Sequence, residues 1–161
     1  MPEQWDLYNV NREKMGILHR RGESIESGYY HLVVSIWIMN NKGEYLMSQR
    51  HPNKLYPEYW ECTGGSVLAG ETSLHGAIRE VKEELGLFLE GRNGRIIYST
   101  RREESQDFYD AWLFHADVPI SALTLQKSEV INARWMTRTD IDNLYQSDKL
   151  HPLLFYYMEV L

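Results

Sequence analysis

Gly65-Ser-Val-Leu-Ala-Gly-Glu-Thr-Ser-Leu-His-Gly-Ala-Ile-Arg-Glu-Val-Lys-Glu-Glu-Leu-Gly-Leu87 is the stretch whose reading decides the fold. From Thr72 onward it has helix chemistry. Thr72 can cap an N-terminus, breakers are few, and Gly86 stands where a helix should stop. At 3.6 residues per turn, Leu74, Ala77, Ile78, Val81 and Leu85 form one apolar stripe. Glu80, Glu83 and Glu84 fall together on a different face, because positions three and four apart are helix neighbours.

Three clustered carboxylates repel one another, at a few tenths of a kcal/mol per pair. A helix that needs only a solvated face does better by alternating signs. The cluster becomes favourable around a hard divalent cation, and Mg2+ prefers one or two carboxylates together with substrate phosphates and water. The surrounding residues point the same way. The stretch matches, without exception, the Nudix box: glycine, five residues, glutamate, seven residues, Arg-Glu, an aliphatic, any residue, Glu-Glu, any residue, glycine, aliphatic. Those positions are Gly65, Glu71, Arg79, Glu80, Val81, Glu83, Glu84, Gly86 and Leu87. With fixed residue types each near 6–7% of composition, a chance match in one window is on the order of 10^-8. The chain therefore resembles the Nudix hydrolases.

That resemblance implies an α/β/α sandwich with a mixed sheet and a catalytic loop–helix–loop. It implies that Glu80, Glu83 and Glu84 hold Mg2+ (or Mn2+), with the carbonyl of Gly64, just before the box, as a further ligand. Arg79 would orient a carboxylate by charge-assisted hydrogen bonding, and Glu71 would brace the loop–helix–loop. The general base is left between a box glutamate, Glu83 or Glu80, and Glu129. Glu129 lies in a loop before a strand, where several family members carry another carboxylate.

Length and composition agree with this picture. A chain of 161 residues fits one domain, with residues 1–28 as an N-terminal segment packed on it. The net charge of -6 argues against a nucleic-acid polymer or an anionic membrane as partner. It also repels a phosphorylated substrate globally, so capture must rely on local cations or metal. A single cysteine, Cys62, excludes an intrachain disulfide and a multi-cysteine zinc site, and reads as a small buried hydrophobe. No apolar run reaches the length of a membrane span, and the opening residues do not read as a signal peptide, so a cytoplasmic location is expected.

Taken in order, residues 1–28 suggest short strands with Asn9 to Gly16 as a hairpin connection, followed by the positive run His19-Arg20-Arg21. His31 to Met39 reads as a central strand, Asn40 to Gly43 as a turn, and Glu44 to Gln49 as the returning strand of a hairpin. The loop from Arg50 to Glu58 holds Arg50, His51 and Lys54, which can contact substrate phosphates. Tyr59 to Thr63 reads as a strand ending at Gly64-Gly65, where glycines let the backbone approach a ligand. Gly76, on the face of Glu80, would leave room above the metals.

Beyond the box, Leu87 to Leu89 suggests a short strand and Gly91 to Gly94 a turn. Arg95 to Arg102 and Phe108 to Val118 suggest a strand pair, and Val130 to Met136 a further strand. Thr139 to Tyr145 and Ser147 to Val160 have helical patterns. This order of elements implies a mixed sheet with helices on both faces. Tyr30, Trp37, Phe108, Tyr109 and Trp112 can stack on a base or fill a core, and their alternation on strands favours the core.

The activity implied is hydrolysis of a phosphoanhydride in a small-molecule diphosphate, such as a nucleoside diphosphate linked to another moiety. Two alternatives stand beside it. The segment from His31 through Asn41 to Trp60 is also similar to isopentenyl-diphosphate isomerase. In that enzyme a cysteine and a metal-binding histidine follow the tryptophan closely, and the box is degenerate. Here Trp60 is followed by Glu-Cys-Thr-Gly-Gly with no histidine, while the box is intact. A non-catalytic diphosphate sensor would be favoured by loss of box carboxylates, and none is lost. Family habit and an aromatic-rich C-terminus allow a homodimer.

Overall fold

The computed structural model describes all 161 residues. Nine strands and three α-helices follow in the order β1 (Gln4–Tyr8), β2 (Lys14–Arg20), β3 (His31–Met39), β4 (Tyr45–Arg50), β5 (Trp60–Glu61), β6 (Thr63–Ser66), α1 (Ser73–Leu85), β7 (Gly94–Arg102), β8 (Asp107–His115), β9 (Val130–Met136), α2 (Arg138–Gln146) and α3 (Tyr157–Val160). β1 and β2 form a separate antiparallel pair, and the other seven strands make one mixed sheet. Its spine is the parallel pairing of β3 with β8 along their full length, from His31 beside Asp107 to Met39 beside His115. β7 closes one side antiparallel to β8.

Apart from His31 and Ser35, β3 is made of β-branched, aliphatic and aromatic residues that suit a buried central strand. Its side chains alternate between two cores. Leu32, Val34, Ile36 and Ile38 join Ala77, Val81 and Leu85 of α1 on one face, while Trp37 joins Ile141, Leu154, Tyr156 and Tyr157 on the other. Helices thus cover both faces, in the expected α/β/α arrangement. Tyr30 and Phe108 are buried in the core on the α1 side, with Trp112 packed against it, and Trp37 and Tyr109 are buried in the core on the other face. The core reading of the aromatics is the one the fold adopts.

The central helix begins and ends where its chemistry requires. Thr72 Oγ1 accepts from the His75 N–H at 3.1 Å, and Gly86, at φ +65°, donates its N–H to the Lys82 carbonyl at 3.0 Å. Ala77, Val81 and Leu85 are buried, with Leu74 and Ile78 packed at the rim. Burying Val81 and Leu85 contributes roughly 1.5–3 kcal/mol each.

Other expectations are corrected. The β1–β2 connection spans only residues 9–13, and Gly16 lies inside β2. β3 and β4 do leave the Asn40 turn together, its side chain accepting from the Lys42 and Glu44 N–H groups at 3.0 Å. They then part after a single pairing, Met39 with Tyr45, because β6 takes the β3 edge and β9 and β5 take β4. The strand read as ending at Gly64-Gly65 runs through them, pairing Gly64 with Ser35 and Gly65 with Val34. Leu87 to Leu89 is not a strand; Leu89 is buried beside α1 and pairs with no edge.

α2 starts at Arg138, one residue before the expected Thr139, because Thr137 caps it through a reciprocal box with Asp140. The long C-terminal helix is absent. Asp148 at φ +54° and Pro152 interrupt it, and Trp60 captures the backbone on both sides of Leu150, donating to the Lys149 carbonyl and accepting from the His151 N–H. Only α3, one turn long, remains.

One buried group makes stability depend on pH. His31 is 7% exposed, its ring stacks on Trp5 at 4.0 Å, and its Nδ1 has no partner. Burial, opposed by Asp107, pushes its pKa down to about 4. The unfolded chain takes up this proton near pH 6.5, so the contribution is complete above that pH and is lost as pH falls towards 4. About 2–3 kcal/mol of unfolding free energy should disappear between pH 7.5 and 4.5 on this account. Urea titrations at both pH values on the parent and on His31→Phe should show a smaller pH difference in the variant. An identical difference would remove His31 from the explanation.

Candidate active site

The site is assembled where β6 runs into the loop before α1. Arg79 lies at its centre without lining the cavity. Its Nε and Nη2 donate to the two oxygens of Glu71 at 2.7 and 3.1 Å, Nη2 also to the Ser66 carbonyl at 2.9 Å, and Nη1 to Glu80 and Glu83 at 3.1 and 3.2 Å. Burial alone would lower its pKa, but these bonds win and hold it charged. Glu71 also accepts from the Leu68 N–H at 2.8 Å, which closes the loop onto the helix. Arg79 thus orients carboxylates, and Glu71 braces the loop.

A cavity of about 260 Å³ opens beside this hub, lined by Gly64, Gly65, Ser66, Glu80, Glu83 and Glu84 from the box region, with Lys54, Gln126 and Glu129 across from them and Glu3 and Arg21 at the N-terminal side. Val33 is its one hydrophobic lining residue. The sequence-identified Lys54, Gly64, Glu80, Glu83, Glu84 and Glu129 therefore meet in one place. Arg50 and His51 do not line it. Arg50 is committed to Glu61 at 2.5 Å and to the Leu55 carbonyl at 2.7 Å, and His51 accepts from the Asn53 N–H at 3.0 Å. Lys54 is paired with Glu129.

The three box glutamates differ. Glu83 is half exposed. Glu80 is buried, and burial, partly offset by Arg79, pushes its pKa up to about 7. Glu84 is buried without a hydrogen-bond or ion-pair partner. Burial first, then Glu80 and Glu61, raise its pKa well above the usual carboxylate range. A buried carboxylate among other carboxylates is costly unless a cation joins it. The donor set of carboxylates and backbone carbonyls is the hard-oxygen kind that suits Mg2+ or Mn2+. No three His, Cys, Asp or Glu side chains converge into a closed cage, since Arg79 holds Glu80 and Glu83. An open arrangement of this sort fits an ion that keeps waters and takes phosphate oxygens.

Two glycines make room for it. A Cβ on Gly65 would stand 2.2 Å from Glu80 Oε1, and one on Gly64 2.7 Å from the Val34 carbonyl. Gly65→Ala must therefore displace the Glu80 carboxylate, and a loss of activity of about 10-fold or more is expected with little loss of stability. Unchanged turnover in that variant would show that Glu80 tolerates the shift. Gly76 is explained differently from the expectation: its missing side chain admits Val67, whose Cγ2 would lie 2.8 Å from a Cβ there.

Cys62 is 1% exposed and packs in the core on the far side of the sheet from α1, with Trp37, Tyr109 and Tyr156. Burial pushes its thiol up. It does not line the cavity, so the cysteine that an isomerase would need is not at the site.

The NUDIX domain family model matches residues 29–156. An uncharacterized Nudix hydrolase of Listeria monocytogenes is 43% identical over 155 residues, covering 95% of this chain and 90% of that protein. Among solved structures, a crystal structure from Deinococcus radiodurans superposes with a TM-score of 0.73 at 21% identity, over 92% of this chain and 91% of that one. A bifunctional NMN adenylyltransferase/ADP ribose pyrophosphatase from Francisella tularensis, solved with AMP and a manganese ion, gives 0.56 at 20% identity, over 82% of this chain and 42% of that one. The chain belongs to the Nudix family. It is a pyrophosphohydrolase of diphosphate-containing compounds, and enzymes of this family generally use divalent metal ions.

Proposed function

We propose that the protein uses Mg2+, with Mn2+ as a substitute, to hydrolyse a phosphoanhydride bond in a nucleoside diphosphate linked to another moiety, or in a similar organic diphosphate. The observation that carries this reading is Glu84, a buried carboxylate with no partner, beside Glu80 at the wall of a cavity that also holds Lys54. The residues that would hold the ion are Glu80, Glu83, Glu84 and the Gly64 carbonyl. A bound divalent ion supplies charge neutralisation on the phosphates and a more acidic water.

The chain's own residues do the rest. Arg79 keeps Glu80 and Glu83 on the cavity side of the helix. Lys54, released from Glu129, offers an ammonium to a phosphate oxygen. Glu83 is the favoured general base, because it is half exposed and its one partner is Arg79, which leaves a carboxylate oxygen for the proton of a water. Glu129 is tied to Lys54, which supports a role in setting that lysine. The single buried thiol fits a reducing compartment, and we assign the protein to the cytoplasm.

Two measurements test the proposal together. Calorimetry with MgCl2 or MnCl2 should detect binding to the parent protein. A panel of nucleoside diphosphate-linked compounds and other organic diphosphates should yield monophosphate products with Mg2+ and none with EDTA. Metal-independent turnover, or no turnover across the panel, would reject it.

A further inference from the structure

The family model begins at residue 29, yet two residues that line the catalytic cavity, Glu3 and Arg21, precede it. Both flank the β1–β2 hairpin, and that hairpin is fastened to the box loop. The Ala69 N–H donates to the Gln4 carbonyl at 2.8 Å, and the Gly70 N–H donates to Asp6 Oδ2 at 2.8 Å. Trp5 is stacked with both His19, at 5.7 Å, and His31, at 4.0 Å. At the hairpin's other end, Arg12 donates to both oxygens of the buried Asp110, at 2.8 and 2.5 Å. Asp110 in turn accepts from Ser73, the first residue of α1, at 2.6 Å. The hairpin and the catalytic helix are therefore held in one register.

Arg21 leaves this platform one residue past β2. Its N–H donates to the Glu3 carbonyl at 2.9 Å, which fixes its backbone, while the guanidinium pairs with Glu3 at 3.1 Å and stays 63% exposed. An exposed pair of this kind is weak, so an arriving anion can take the guanidinium from Glu3. The cavity needs it. Its lining carries five carboxylates, Glu3, Glu80, Glu83, Glu84 and Glu129, against two cations, Arg21 and Lys54; Arg79, behind the lining, is held by Glu71, Glu80 and Glu83, and Lys54 is paired with Glu129. With Val33 the sole hydrophobic lining residue and no aromatic wall, the cavity has nothing on which a base can stack. Binding there must come from charge, and the planar fork of an arginine matches phosphate oxygens.

We propose that Arg21 is a substrate-binding residue added by the hairpin to the family domain, gripping a phosphate of the diphosphate, with Glu3 as the counter-charge that holds its fork in the free enzyme. Substrate choice then follows phosphate charge more than the base. The proposal rests on the hydrolase reading above, and its test separates the two. With the substrate that the parent turns over fastest, Arg21→Ala should raise KM about 10-fold or more while kcat stays within about 3-fold. Arg21→Lys should fall between, and Glu3→Gln should lower KM a few-fold. Arg92→Ala, at a side chain 81% exposed and paired with Glu90, serves as control and should change nothing.

In parallel, calorimetry with methylenediphosphonate and Mg2+, a non-hydrolysable diphosphate probe, should show about 10-fold weaker binding in Arg21→Ala. An unchanged KM, or a lower kcat at constant KM, overturns the assignment. If the parent hydrolyses nothing in the panel, the hydrolase reading fails, and the methylenediphosphonate comparison alone decides Arg21. Equal affinity of parent and variant for the probe rejects the proposal, and weaker binding by the variant supports it.

Discussion

Glu83→Gln is expected to lower kcat by about 10²–10⁴-fold, the range a positioned acid–base group contributes, while leaving the fold intact. Glu83 is 50% exposed and pairs with Arg79 at 3.2 Å. Exposed substitutions of this type change stability within about 0.5 kcal/mol. Arg79 keeps Glu71 and Glu80, so the hub survives the change. The measurement is steady-state turnover beside a thermal melt on the same preparation. Near-parental turnover in a variant that melts normally would take Glu83 out of the chemistry.

Glu84→Gln should do something less common, stabilising the metal-free protein while removing its response to metal. The Glu84 carboxylate is buried and lacks a bonded partner, and the repulsion of Glu80 and Glu61 outweighs the attraction of Lys54. A neutral amide of the same shape avoids both the desolvation of a charge and the repulsion by its neighbours. At pH 8 in EDTA we expect a gain of about 2 kcal/mol, or roughly 4–8 °C in melting temperature for a domain of this size. Saturating Mg2+ or Mn2+ should raise the parent's midpoint by several degrees and the variant's by much less. A variant less stable than its parent in EDTA would mean that Glu84 has a partner of its own in the folded protein. That result would withdraw the main support for a cation at this position.

Both predictions turn on residues that the sequence marked, and their differences came only from the fold. Spacing places Glu80, Glu83 and Glu84 on neighbouring helical positions, yet it treats them alike. The fold buries Glu80 against Gly65 and Arg79, leaves Glu83 half exposed, and encloses Glu84 without a partner. Arg50, His51 and Lys54 read as equivalent loop cations, and only Lys54 lines the cavity; Arg50 is consumed by Glu61. Arg21 was visible as part of His19-Arg20-Arg21, but a run of charge carries no direction. Alternation sets Arg20 opposite His19, which is buried against Trp5, but it does not tell Arg21 from His19; β2 ends at Arg20, and Arg21, just past it, reaches the cavity.

By itself the sequence determined the helix from Ser73 to Leu85, its caps, its apolar stripe and the family, and it singled out four of the five carboxylates that line the cavity, Glu3 being the one it missed. Caps and stripes are local, decided within one or two turns by which N–H lacks a partner and which side chains share a face. Only the tertiary structure decided where β3 and β4 part, why the C-terminal segment breaks around Trp60, and which cations meet the carboxylates. Those outcomes depend on pairs distant in the chain, such as Lys54 with Glu129, 75 residues apart, and Arg12 with Asp110, 98 residues apart. Such pairs form when the sheet brings their backbones together, and no periodicity in the sequence records which of several like-charged residues will be nearest.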